Sequence, residues 1–120
     1  MSGAEEEERF GARVRRLREA RGIGLRPFAR MVGISATYLS KVERDELPPP
    51  AEGRVKEIAR LLGQDPDELL ALAGRVASDL GAIIRERPRE MASFLRTVSG
   101  LGPEEIRRLE EQARRGRGDG

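Results

Sequence analysis

Apolar residues recur along this chain at helical spacing, and no stretch alternates apolar with polar as a half-buried strand would. Phe10, Val14 and Leu17 stand at i, i+4 and i+7, which predicts a first helix from about Glu6 to Arg21 with one buried stripe, closed by Gly22. A short second helix covers Leu25 to Val32, where Pro27 falls in the first turn and removes no needed N–H, and Phe28, Ala29 and Val32 point inward. Gly33 permits a left-handed turn and Ile34 plugs the core. Ser35 then caps a third helix running through about Glu43, with Leu39 and Val42 on its inner face.

The pattern continues with a fourth helix, about Glu52 to Leu62, that aligns Val55, Ile58, Ala59 and Leu62. A fifth opens with Asp65 as cap, Pro66 as first residue and Glu68 completing a capping-box-like pattern before LLALAG, and Gly74 marks a boundary. Three more helical stretches follow, Ser78 to Arg87, Pro88 to Val98 and Pro103 to Arg115. Their apolar residues are too few and too linear to close a core of their own over ~46 residues, so they need a partner surface. The expected organisation is all-α: a five-helix domain over 9–74 and a helical extension over 75–115, flanked by an acidic tail (1–8) and a Gly- and Arg-rich tail (116–120), both expected to be disordered.

Composition narrows the chemistry. With no Cys and no His in 120 residues, the chain has no Cys/His zinc site, no thiol nucleophile, no imidazole base and no disulfide framework, so no metal, no cofactor and no enzymatic activity are expected. The start, MSGAEEEERF, is acidic where a secretory signal is basic and then apolar, and no apolar run approaches a membrane span; the expectation is a cytoplasmic chain without membrane attachment. The formal net charge of +2 conceals an asymmetry: residues 1–8 carry −4, residues 9–63 carry +7 and residues 64–120 carry −1. A basic block of this kind is the footprint of a polyanion binder, although solvated helix faces give similar counts.

The basic block holds PFARMVGISATYLSKVER, two short helices joined by a Gly-containing turn of three or four residues, which is the helix-turn-helix arrangement. Here the chain resembles the Cro and lambda-repressor-like (Xre-type) family of DNA-binding domains over about residues 10 to 74. The resemblance rests on LRxxR as Leu17, Arg18 and Arg21, the small Ala29, the turn Gly33, and YLSKVER ending the third helix. It implies a five-helix domain, double-stranded DNA as partner, a homodimer reading twofold operators, and a regulator, most simply a repressor, of bacterial or phage type.

The small residues at the start of the third helix let its backbone approach the major groove, which makes Ser35, Ala36, Thr37, Ser40 and Lys41 the candidate base readers. Thr37 suits a thymine methyl or a phosphate, and Lys41 suits guanine or the backbone. Arg26, Arg30, Tyr38 and Arg44 are the candidate phosphate contacts. Taken without the motif, the same residues read as a cap (Ser35), solvated positions (Thr37, Ser40) and a partly buried aromatic (Tyr38). The resemblance further implies a partly buried ion pair between Arg18 and Glu43.

Two departures stand out. Many relatives have Gln where this chain has Leu25 and Ala36, so a bidentate Gln-to-adenine contact is lost there, and the loop DELPPPAEG is acidic where several relatives are basic. Specificity then rests on few direct contacts plus DNA shape. In the extension, Ile83, Ile84, Met91, Phe94, Leu95, Val98, Ile106 and Leu109 are the candidate dimer or partner residues, the alternative being that these helices fold back on the first domain. Both lysines lie within the first domain, which discounts the Ser/Lys self-cleavage some repressors use. The other function readings are an antitoxin-like autoregulator and a protein-interaction adaptor that keeps the fold without specific DNA readout.

Overall fold

The computed structural model describes residues 8–118 and divides into two compact units, one ending at Ser78 and one beginning at Asp79. Its described residues form helices and no strand. In the first unit, α1 (Phe10–Ala20), α2 (Leu25–Val32), α3 (Ala36–Glu43), α4 (Glu52–Leu62) and α5 (Pro66–Leu72) enclose a single core. Phe28, Leu39, Ile58, Leu69, Val14 and Val55 lie fully buried at its centre. α1 packs on α3 and α4, α2 on α3 and α4, and α5 on α4.

Gly11 decides how closely α1 and α3 approach. A Cβ at this position would collide with the main-chain carbonyls of Val42 and Glu43, so the two helices cross with backbones in contact. The α2–α3 turn closes on Gly33 at φ +85°, whose N–H donates to the Ala29 carbonyl at 2.8 Å, and Ile34 repeats that bond at 2.9 Å. Ser35 Oγ accepts the Tyr38 N–H at 3.0 Å and Asp65 accepts that of Glu68 at 3.0 Å, so α3 and α5 both begin on a side-chain cap.

Three boundaries differ from the sequence expectation. α1 begins at Phe10 rather than Glu6: Glu8 and Arg9 are non-helical, and Glu8 turns back to meet Arg13 Nε at 2.6 Å and Arg16 Nε at 2.7 Å. Glu8 is thus placed by ion pairs, whereas the rest of the acidic tail lies outside the described residues. α6 (Ser78–Glu86) stops one residue short of Arg87, which Pro88 forces out of helical geometry. α7 (Pro88–Val98) ends as expected, but α8 (Pro103–Gly118) runs past Arg115 into the segment expected to be a disordered tail. Arg114 pairs with Glu110 at 2.8 Å, and Arg115 and Arg117 in the last turn complement the helix dipole.

The second unit has no buried residue in α7 or α8, and none in α6. No helix among the described residues is long and apolar enough to cross a membrane.

Candidate nucleic-acid interface

Leu39, Val42 and Glu43 turn the inner side of α3 into the core. Thr37, Ser40, Lys41 and Arg44 therefore share the opposite side at i, i+3, i+4 and i+7 spacing, Thr37, Lys41 and Arg44 exposed and Ser40 half-buried. Ser35 is exposed just before the first turn, with its hydroxyl engaged as cap. Ala36 is half-buried and its side chain packs against the core, two residues after the Ile34 plug. Tyr38 likewise rests partly on the core.

The candidate phosphate contacts fall into two kinds. Arg26 and Arg30, one turn apart on α2, are exposed and make no side-chain ion pair or hydrogen bond among the described residues. Arg44 is already engaged: Nε and Nη2 donate to the two Glu46 oxygens at 2.9 and 3.2 Å, and Nη1 donates to Ser40 Oγ at 2.9 Å. Glu46 is held below the usual carboxylate range by the Arg44 hydrogen bonds, with the charges of Arg44 and Lys41 adding to the effect.

Arg18 and Glu43 brace α3 from behind. Arg18 Nε and Nη2 donate to Glu43 Oε2 and Oε1 at 2.8 and 2.9 Å, and Nη1 donates to the Ile23 carbonyl at 2.9 Å. The two side chains are 8% and 3% exposed, so the fork is taken out of water and fixes the angle between α1 and α3. The Glu43 hydrogen bond raises the Arg18 pKa above its ordinary value.

Four features of this face escaped the sequence reading. Gly11 lies in the first turn of α1, and only the main chain of α3 packed against it explains why no side chain stands there. Arg54 Nη1 donates to the Val32 carbonyl at 2.6 Å and so caps α2 from α4. Arg75 binds the Pro49 carbonyl at 2.8 Å and also the Pro50 carbonyl, tying the proline loop to the end of α5. Asp45 adopts φ +63° directly after α3. Among the described residues no group of His, Cys, Asp or Glu is arranged to hold a metal ion.

Leu25, half-buried against the core, fills an apolar role at the start of α2. In the second unit, Ile83, Phe94, Leu95 and Ile106 are exposed, while Ile84, Met91, Val98 and Leu109 are half-buried. Phe94, Val98, Ile106, Leu109 and Ala113 line an apolar groove between α7 and α8.

Comparison with known proteins agrees with this geometry. Residues 9–72 match a family described as "Helix-turn-helix domain". The chain is similar to the uncharacterized HTH-type transcriptional regulator RghRB of Bacillus subtilis (strain 168), 33% identical over 67 residues, which is 56% of this chain. It spans 48% of that relative's length. Among solved structures it is similar to the master regulator for biofilm formation SinR in complex with DNA, at 26% identity over 51% of this chain and 97% of that one, with TM-score 0.47. It is also similar to the SinR/SinI protein complex, at 22% identity over 89% and 97% of the two chains, with TM-score 0.48. With the family model matching over more than half of its residues, this chain belongs to the helix-turn-helix domain family.

Proposed function

We propose that the chain is a sequence-specific DNA-binding repressor that acts as a dimer on an inverted-repeat operator. The observation that carries this reading is the outer stripe of α3, Thr37, Ser40, Lys41 and Arg44, presented by a tight α2–α3 turn and braced from behind by the Arg18–Glu43 fork. Thr37 and Lys41 read base edges, with Ser35 and Ala36 providing the close backbone approach, while Arg26, Arg30, Tyr38 and Arg44 bind phosphate. The family supports the DNA-binding role, and the relative's description as a transcriptional regulator supports the regulatory one.

The dimer rests on the second unit, 79–118 in its described part, whose exposed Phe94, Leu95, Ile83 and Ile106 need covering. A second copy is the occupant that matches in charge. α8 begins with Glu104 and Glu105 and ends with Arg114, Arg115 and Arg117, so two antiparallel copies place acid against base at both ends. An antitoxin-like or adaptor role, in which these helices hold a different protein, draws on the same apolar face and on the acidic turn after α3.

Thr37→Ala combined with Lys41→Ala tests the assignment by fluorescence anisotropy on a selected duplex. Affinity should fall at least tenfold with the fold intact by circular dichroism, about 1–3 kcal/mol per lost base contact. In the same titrations Arg26→Ala and Arg30→Ala should each shrink the salt slope by about one unit. Unchanged binding by the double variant contradicts the placement of α3 in the groove.

A further inference from the structure

The helices of the first unit end in one way, with a single exception. α1, α2, α4 and α5 each finish on a glycine with positive φ, Gly22, Gly33, Gly63 and Gly74 at +69°, +85°, +66° and +76°. α3 alone finishes on a residue with a side chain, Asp45 at φ +63°. The hydrogen bonds around it are those of a Schellman ending: the Asp45 N–H donates to the Val42 carbonyl at 3.1 Å and the Glu46 N–H to the Lys41 carbonyl at 2.8 Å. In that motif glycine is the easy residue, and aspartate carries two penalties. Its Cβ is strained in the left-handed region, and its carboxylate stands at the negative end of the helix dipole.

Both carboxylates of this turn meet cations. Asp45 lies 3.7 Å from Arg9, and Glu46 grips Arg44 with both oxygens while also feeling the charge of Lys41. The Schellman bonds fix where the Glu46 side chain leaves the backbone, and its carboxylate accepts from Arg44, whose Nη1 in turn donates to Ser40 on α3. A turn that accepts strain and an adverse dipole in order to carry anions, at the end of the helix that reads DNA, acts on the DNA-binding charge itself.

On the reading of α3 given above, the geometry points to Asp45 and Glu46 as specificity-determining residues: two carboxylates that repel passing phosphates and occupy Arg44, restraining sequence-independent binding. In a complex without fixed register, phosphate contacts supply essentially all of the affinity, and the carboxylates oppose every phosphate the turn passes. In the cognate complex, base contacts hold a single register, and Arg44 is exchanged from Glu46 to phosphate once. The carboxylates therefore weaken random binding more than cognate binding, which is discrimination by a repulsive element.

The test measures anisotropy with the full chain on a selected duplex and on a random-sequence duplex across a salt series, for the wild type, Asp45→Asn, Glu46→Gln and the double variant. Asn tolerates the left-handed conformation, so Asp45→Asn removes the charge and keeps the turn. The double variant should bind random duplex about tenfold more tightly, with a salt slope steeper by about one unit as Arg44 is released. Its cognate affinity should rise less, so that the ratio of the two narrows. Unchanged random-duplex affinity, or equal gains on both duplexes, overturns the role assigned to the turn while leaving the function of α3 standing. A wild-type protein that prefers no duplex over random DNA overturns the function and this inference together.

Discussion

Phe28 and Phe94 are the same residue in opposite circumstances. Phe28 is fully buried where α2 meets the core of the first unit, whereas Phe94 on α7 of the second is 50% exposed. The contrast extends to whole regions. In the first unit every helix contributes buried side chains to one cluster, and even an ion pair is enclosed; in the second, α7 and α8 are amphipathic yet bury nothing. The first region closes a core of its own, and the second leaves its apolar residues uncovered, which is the basis of the dimer proposed above.

The widest gap between the regions should appear in a matched pair of truncations. Phe28→Ala should cost about 3–5 kcal/mol of stability in chemical denaturation. Phe94→Ala, measured at a concentration low enough to keep the chain monomeric, should cost under about 0.5 kcal/mol, as at an ordinary surface position. A similar loss at both positions would erase the distinction drawn here.

The enclosed ion pair sharpens the account of the first region. Glu43→Ala leaves the Arg18 guanidinium buried without its partner and should cost about 3–5 kcal/mol, while replacing both residues by apolar ones of similar volume should restore much of that loss. Denaturant midpoints of the single and double variants check it. In the second region the corresponding test is assembly: Phe94→Glu should move the sedimentation coefficient from dimer to monomer while the thermal midpoint of a dilute sample stays nearly fixed. A dimer that survives this substitution places the interface elsewhere.

How much of this was legible follows from the range of the contacts. The bounds of α4, the Asp65 cap and Pro66 start of α5, and the α2–α3 turn all rest on residues a few positions apart, and all were visible in the sequence. The Arg18–Glu43 pair spans 25 positions and was reached only through the family resemblance. Arg54 and Arg75 bind main-chain carbonyls 22 to 26 positions away. Every residue offers a carbonyl, so no side-chain pattern marks such a target. Asp45 was noticed as acid in the loop, but its left-handed backbone is dictated by the Schellman closure rather than by residue type. Glu8 was grouped with its acidic neighbours because four identical residues in a row give no hint of which one meets Arg13 and Arg16.

That last contact yields the smallest expected effect. The Arg16 and Arg13 hydrogen bonds hold the Glu8 carboxyl down to about 2, against an ordinary value of 4.5. A depressed folded-state pKa stabilises the fold above pH 4.5, and that contribution is lost as pH falls through the window down to about 2. Wild type and Glu8→Gln should therefore differ slightly in thermal midpoint at pH 6 and converge by about pH 2. Curves that stay parallel across this range would show that Glu8 adds nothing to the first unit.

Selection of bound duplexes from a random DNA pool, at near-physiological salt with excess nonspecific competitor, tests the central claim most directly. The account predicts a motif of two inverted half-sites with a centre spacing near ~10 bp or a multiple of it, as a twofold dimer presenting two α3 helices requires. A folded protein that enriches no motif would contradict it, and would leave the exposed face of α7 and α8 as the surface through which the chain acts.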